Sequence, residues 1–257
     1  MITVSYVEAF NDNYIWLIHK ENSHHIAIVD PGDAGPVLRA IEQHGYQPVA
    51  ILITHHHGDH VGGISKLTRH YDIPVYGPAN EGIAAVNHPV HEADDVYIAE
   101  LDCHLSIMEV PGHTRGHIAY YRDGMLFCGD TLFTGGCGRL FEGTPEQMSD
   151  SLNKIAALPD ATQIYCAHEY TLDNLAFARV VEPDSSDLIQ RIKDTEEARR
   201  QDRPTVPSTL ALEKQTNPFL RCDVTNVIQA AERFALKSLK SGAETFTVVR
   251  HWKDTLD

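Results

Sequence analysis

Four candidate metal ligands, His55, His57, Asp59 and His60, fall within six consecutive residues, His55-His56-His57-Gly58-Asp59-His60, in the pattern His-x-His-x-Asp-His. Three more follow later apolar runs: His113 after Leu105 to Val110, Asp130 after Met125 to Cys128, and His168 after Ile164 to Ala167. Together they supply five imidazoles and two carboxylates with no thiolate, a hard-to-borderline donor set suited to Zn²⁺, Fe or Mn²⁺. The seven read as the ligands of a two-metal hydrolytic site. Such a site works because coordination brings the pKa of water from 15.7 to about 7, so the nucleophile is available near neutrality.

The elements that must position these groups are legible as strands. Pro48-Val49-Ala50-Ile51-Leu52-Ile53-Thr54 is a β-branched apolar run that delivers the first motif to one rim of a sheet. In extended backbone His55 and His57 point one way and His56 another. Beyond them Val61, Ile64 and Leu67 have helical spacing, which turns Asp59 and His60 toward the same centre. The other three ligands repeat this arrangement at strand ends, where open α/β sheets gather ligand sites.

Most histidines need no such role, and His24, His25, His44, His70, His88, His91, His104 and His251 read as surface or hydrogen-bonded residues. His56 and His117 adjoin ligands and read as supports that orient an imidazole or a loop. By the residues alone His117 competes with His113 as the ligand. Cys128 and Cys166 read as buried strand thiols. Cys137, in Gly135-Gly136-Cys137-Gly138, reads as part of a tight loop, since no nearby residue supplies a base for a nucleophile. That glycine-rich stretch lacks the Gly-Lys-Ser/Thr ending of a phosphate loop.

Several segments together resemble the glyoxalase II (hydroxyacylglutathione hydrolase) family of the metallo-β-lactamase superfamily. They are Thr54 to His60, Pro111-Gly112-His113-Thr114-Arg115-Gly116-His117, Gly129-Asp130-Thr131-Leu132-Phe133, Gly135 to Thr144, His168-Glu169-Tyr170-Thr171 and Asn217-Pro218-Phe219-Leu220-Arg221. The first specifies only the superfamily, and the glycine-rich, His-Glu-Tyr-Thr and Asn-Pro-Phe segments narrow it.

The resemblance implies an α/β fold, an αββα sandwich followed by a small C-terminal helical domain. It favours His113 over His117 and implies a partition: His55, His57 and His113 on one ion, Asp59, His60 and His168 on the other, Asp130 bridging. The cofactors implied are two divalent metal ions, Zn²⁺ first, with Fe or Mn as alternatives. Asp59 and Asp130 are the implied catalytic residues, working with a metal-activated hydroxide on S-(2-hydroxyacyl)glutathione such as S-lactoylglutathione, in methylglyoxal detoxification. For the glutathione portion the resemblance points to Arg139, Phe141, Tyr170, Arg250 and Lys253. The better-known eukaryotic pattern has Lys in place of Arg139 and Tyr in place of Phe141.

Composition agrees with a soluble enzyme. A length of 257 residues buries a sizeable core in one or two domains. The sequence carries no signal-peptide pattern and no apolar run of membrane-spanning length, so a cytoplasmic monomer acting on a small molecule, without membrane or nucleic-acid partners, is expected. Five scattered cysteines without a Cys-x-x-Cys pair suit reduced thiols. Residues 1–173 hold 8 Lys+Arg against 23 Asp+Glu, whereas residues 174–257 hold 13 of each, which places the whole formal charge of −15 in the first part.

That change marks the expected boundary between a catalytic domain, 1–173, and a helical substrate-binding domain, 174–257. Asp33 is placed to cap a helix through Val37, Leu38 and Ile41, and Thr144-Pro145-Glu146-Gln147 has the capping-box pattern. Asp223 is placed to cap a helix over Val224 to Lys240. The alternatives are a single-iron persulfide dioxygenase of the same fold, a lactonase or β-lactamase lacking the C-terminal helices, a nuclease, and a non-catalytic metal-binding protein. The acidic metal domain speaks against the nuclease, and the unbroken ligand set against the non-catalytic protein.

Overall fold

The alternating apolar residues at the amino terminus form an antiparallel meander of β1 (Ile2–Ala9), β2 (Asn13–Lys20) and β3 (His25–Val29). The computed structural model describes residues 1–256. Helix α1 (Ala34–His44) then crosses over to β4 (Gln47–Leu52), which lies parallel to β3, as a parallel pair requires. Asp33 caps α1 by accepting the Gly35 N–H, as its position predicts. Next come α2 (Gly58–Val61), α3 (Ile64–His70), β5 (Val75–Pro78) and β6 (His88–Val90), the last two extending the sheet in parallel. Ile15, Leu17, Ile28, Ile51 and Ile53 of this sheet share one buried apolar cluster with Val37 and Ile41 of α1 and Ile64 and Leu67 of α3.

A second, antiparallel set follows: β7 (Asp95–Ile98), β8 (Cys103–Glu109), β9 (Ile118–Arg122) and β10 (Met125–Gly129). The Tyr120 hydroxyl donates to the Ile53 carbonyl at 2.9 Å, and the Ile118 N–H to the Thr54 carbonyl at 3.0 Å, fastening β9 to the end of the first sheet. These elements make one compact unit, Met1–Glu109 with Arg115–Gly129.

The other unit is Val110–Thr114 with the chain from Asp130 onward. It contains the short hairpin β11 (Leu132–Phe133) and β12 (Gly136–Cys137), α4 (Pro145–Ala156) and β13 (Gln163–Cys166). Beyond them lie α5 (Thr171–Val181), α6 (Ser186–Arg200), β14 (Ser208–Thr209), α7 (Leu210–Thr216), α8 (Thr225–Ala235) and α9 (Gly242–Asp254). Thr144 and Gln147 form the capping box of α4. Compactness therefore divides the chain differently from charge composition. The segments carrying His113 and Asp130 belong with the helices.

The expected helix over Val224 to Lys240 is shorter. Val224, not Asp223, is its N-cap, and Leu236 takes a left-handed conformation that ends it after Ala235. Around α9 the aromatic rings of Phe177, Phe219, Phe234, Phe246 and Trp252 pack with centroids 4.7–6.0 Å apart. All five cysteines are buried and form no disulfide. Among the described residues no helix is long and apolar enough to cross a membrane.

Candidate metal centre

The seven proposed donors fall into two groups, one in each unit. In the first, β4 ends at Leu52 and hands the chain through Ile53 and Thr54 to His55, which is buried. His57 stands at the N-cap of α2, so Asp59 and His60 occupy its first turn. The donor atoms of His55 and His57 lie within 4.8 Å of each other, and Asp59 Oδ2 is 3.4 Å from His60 Nε2. His56 faces elsewhere: its ring and its N–H both meet Glu81. The other Glu81 oxygen accepts the Gly116 N–H at 2.7 Å, so one buried carboxylate ties two loops together.

Three further residues support this group. Asp30 accepts both the N–H and the hydroxyl of Thr54, and its Oδ2 lies 3.1 Å from His60 Nδ1. Asn13 donates to Asp59 Oδ2 at 3.0 Å. His117 stacks on His55, with centroids 4.5 Å apart and planes at 19°. The Gly129 backbone passes close by, at φ +47°, and a Cβ there would sit 2.4 Å from Thr54 Oγ1 and 2.9 Å from His117. Sequence reasoning missed Asp30, Asn13 and Glu81. Asp30 did carry the strand-end signal, following Ile26 to Val29 as the ligands follow their own runs.

In the second unit Asp130 lies between two buried imidazoles. Its Oδ2 is 3.4 Å from His113 Nε2 and its Oδ1 is 3.3 Å from His168 Nε2. His113 Nδ1 is 2.7 Å from the Arg139 carbonyl, which has no proton to give, so Nδ1 carries the hydrogen and Nε2 the lone pair. Asp30 Oδ2, 3.1 Å from His60 Nδ1, places negative charge beside that ring nitrogen. Imidazoles held by oxygen acceptors at one nitrogen are prepared to ligate through the other, so this donor set fits Zn²⁺, Fe or Mn²⁺.

The residues expected to meet glutathione differ in access. Arg139 has half its side chain exposed, and Phe141 is 62% exposed with its ring edge-on to His113 at 5.3 Å. Tyr170, the N-cap of α5, stacks flat on His168, with centroids 4.7 Å apart and planes at 3°. Lys253 is buried, and Arg250 is only 2% exposed. The guanidinium of Arg250 is committed to the Cys137 carbonyl at 3.0 Å and to Asp254 at 2.8 Å. Burial pushes the Cys137 thiol up to about 11, which keeps it protonated.

The Asn-Pro-Phe segment serves the hairpin. Asn217 Nδ2 donates to the carbonyls of Phe133 and Gly136, while its Oδ1 accepts the Phe219 N–H. Glu213, fully buried, takes the Gly135 N–H at 2.8 Å and also meets Arg191 and Ser208. The helices thus grip the loop that follows Asp130.

Comparison with known proteins agrees with this architecture. Residues 10–168 match the metallo-beta-lactamase superfamily, and residues 169–256 match the hydroxyacylglutathione hydrolase C-terminus. The chain is 54% identical over 254 residues to a hydroxyacylglutathione hydrolase of Nitrosomonas europaea, covering 99% of this chain and 96% of that one. It is also 54% identical to one of Photobacterium profundum, covering 99% of each. Among solved structures, ETHE1 from Myxococcus xanthus is similar with a TM-score of 0.68 at 22% identity, covering 99% of this chain and 91% of that one. The BLEG-1 B3 metallo-beta-lactamase has a TM-score of 0.63 at 23% identity, covering 85% of this chain and 99% of that one. The last two share the fold. With a superfamily domain, the specific C-terminal domain and full-length relatives at this identity, the chain belongs to the hydroxyacylglutathione hydrolase family.

Proposed function

We propose that the chain hydrolyses S-(2-hydroxyacyl)glutathione, S-lactoylglutathione among such thioesters, to glutathione and a 2-hydroxy acid. Two divalent cations, Zn²⁺ first and Fe or Mn next, would be held by His55, His57 and His113 on one side and Asp59, His60 and His168 on the other, with Asp130 shared. The observation that carries this is the Asp130 carboxylate, which presents one oxygen to His113 and the other to His168. Membership of the family supports the same reading. Bound there, the cations supply Lewis acidity toward the thioester carbonyl and a water with a pKa of about 7.

The chain's own residues do the rest. Asp59, whose Oδ2 accepts from Asn13, would orient the proton of the attacking water. The leaving thiol has a pKa of about 8.5 and departs as thiolate, so no general acid is required. Cys137, kept protonated, takes no part as a nucleophile. Arg139 and Lys253 offer positive charge to the carboxylates of glutathione, Tyr170 offers a hydroxyl, and Phe141 contributes only its ring. An acidic chain of this kind suits a small-molecule substrate in the cytoplasm and a monomer without nucleic-acid or membrane partners.

The single-iron dioxygenase alternative has no support comparable to the match over residues 169–256. Metal content per chain, measured together with thiol release from S-lactoylglutathione, tests the reading. Two metals and thiol release are expected. One iron per chain, oxygen consumption and no thioester cleavage would overturn it.

A further inference from the structure

We propose that Glu81 is a positioning residue for the metal ligands His55 and His57, acting on the backbone between them and on the loop whose ring lies against His55. The proposal rests on the metal-centre reading above. Between the end of β4 at Leu52 and the start of α2 at Gly58 the chain has no regular secondary structure, and both ligands sit in this stretch. The His56 N–H between them donates to Glu81 Oε2 at 2.9 Å, and the His56 ring meets the same oxygen through Nδ1. The other oxygen, Oε1, accepts the Gly116 N–H at 2.7 Å.

Gly116 leads into His117, whose ring stacks on His55 with centroids 4.5 Å apart. One residue further on, the Ile118 N–H donates to the Thr54 carbonyl at 3.0 Å. The two stretches, residues 54–57 and 116–118, are thus joined twice, directly at Thr54 and through one carboxylate at His56. Loss of that carboxylate frees both the backbone that aims His55 and His57 and the ring on which His55 packs.

Glu81 is itself held in place. It ends the 3₁₀ turn Ala79–Glu81 that follows β5, the strand paired in parallel with β4, and its side chain is 2% exposed. Gly116 closes on it, since a Cβ there would fall 2.8 Å from Glu81 Oε1 and 3.0 Å from the Asn80 carbonyl carbon. The arrangement calls for a carboxylate, because both of its oxygens accept, whereas a glutamine amide accepts on one side and presents N–H donors on the other. In this position the amide nitrogen would face a donor.

The test measures Zn²⁺ affinity of the full chain by competition with a chromophoric chelator, alongside kcat and KM on S-lactoylglutathione and on a small thioester lacking carboxylates. Groups that orient metal ligands from behind contribute about 10- to 100-fold in metal affinity. Glu81→Gln is expected to weaken one of the two Zn²⁺ sites by about ten-fold and to lower kcat on both thioesters, with KM unchanged. Glu81→Ala, which removes both acceptors, should lose more, so that glutamine recovers part of the loss. Ile41→Val, a destabilising change in the buried apolar cluster of the same unit, should leave Zn²⁺ affinity as in the wild type.

Gly116→Ala reaches the same carboxylate from the other loop and should weaken the same Zn²⁺ site several-fold. It carries the test if the Glu81 variants fail to fold. Wild-type Zn²⁺ affinity at both sites in these variants, or a loss no greater than that of Ile41→Val, overturns the proposal and leaves Glu81 a residue of the fold alone. A raised KM for the glutathione thioester with unchanged Zn²⁺ affinity overturns it as well. A wild-type chain that binds no Zn²⁺, Fe or Mn would instead sink the metal-centre reading, and that control tells the two failures apart.

Discussion

Asp30 holds Thr54 twice, taking its N–H on Oδ1 at 2.8 Å and its hydroxyl on Oδ2 at 2.7 Å. The same Oδ2 lies 3.1 Å from His60 Nδ1, so one buried carboxylate fixes the entry to the His-rich motif and sets its charge beside the motif's last ring. The residue does this from a left-handed conformation, φ 51°, which costs a non-glycine residue about 1–2 kcal/mol. The three contacts offset that cost.

Replacing Asp30 therefore has two separable effects. Asp30→Ala leaves the Thr54 donors buried without their acceptor and should lower stability by about 1–3 kcal/mol in denaturant titration. Asp30→Asn keeps an acceptor and tolerates the left-handed conformation, so it should fold nearly as well, yet hold metal about ten-fold more weakly because its neutral oxygen polarises His60 less. Equal metal affinity in Asp30→Asn and the wild type would show that Asp30 serves the fold alone.

Asp130 predicts a stoichiometric change. A carboxylate shared between cations cannot be lost without releasing one of them, so Asp130→Ala should carry about one metal fewer per chain and lose nearly all thioesterase activity. Asp123→Ala, in the turn between β9 and β10, is the control and should change neither. Retention of two metals by the Asp130 variant refutes the shared-ligand assignment.

The strand ends that carry the candidate ligands were legible as places because each is an apolar run closed by a polar residue, and His113, Asp130 and His168 follow β8, β10 and β13. The caps at Asp33 and Thr144 were legible because side chain and sequence offset determine them locally. The α8 boundary was not, since whether Leu236 turns left-handed depends on packing that no local pattern records. Asp30, Asn13 and Glu81 were illegible for another reason. Each acts on a residue 24 or more positions away, and a lone carboxylate or amide looks like surface until the fold closes. The burial of Arg250 and its bond to the Cys137 carbonyl are likewise long-range facts that a terminal basic helix does not announce.

Alkaline pH offers a test of the buried thiols. Burial raises Cys137 from 9.0 to about 11 and Cys166 from 9.0 to about 12. The folded chain thus holds these protons more tightly than the unfolded chain. Their contribution is full below about pH 9 and is lost as pH rises through 11 and 12. Melting temperature should fall across that window, and Cys137→Ala should flatten its lower part. The same variant should keep most of its turnover, with no acyl-enzyme in the wild type, because the Cys137 carbonyl that Arg250 holds remains. A covalent adduct on Cys137 seen by mass spectrometry would contradict the protonated, structural thiol.

Arg139 keeps its side chain half exposed while its carbonyl accepts from His113 Nδ1. In the proposed reading this guanidinium, 3.5 Å from Asp254, would meet a carboxylate of glutathione from outside the bond-breaking centre. A charge-assisted hydrogen bond contributes about 1.5–3 kcal/mol when buried, but solvent screening at this exposure reduces it to about 1 kcal/mol or less. Arg139→Ala leaves the carbonyl in place, so KM for S-lactoylglutathione should rise by roughly three- to six-fold with kcat little changed. A small thioester lacking carboxylates should be turned over as by the wild type. Arg139→Lys should restore most of the loss, since a point charge suffices at a solvated contact. Equal losses on both substrates would mean that the side chain supports the loop through Asp254, and the glutathione contact would have to be sought at Lys253 or Tyr170.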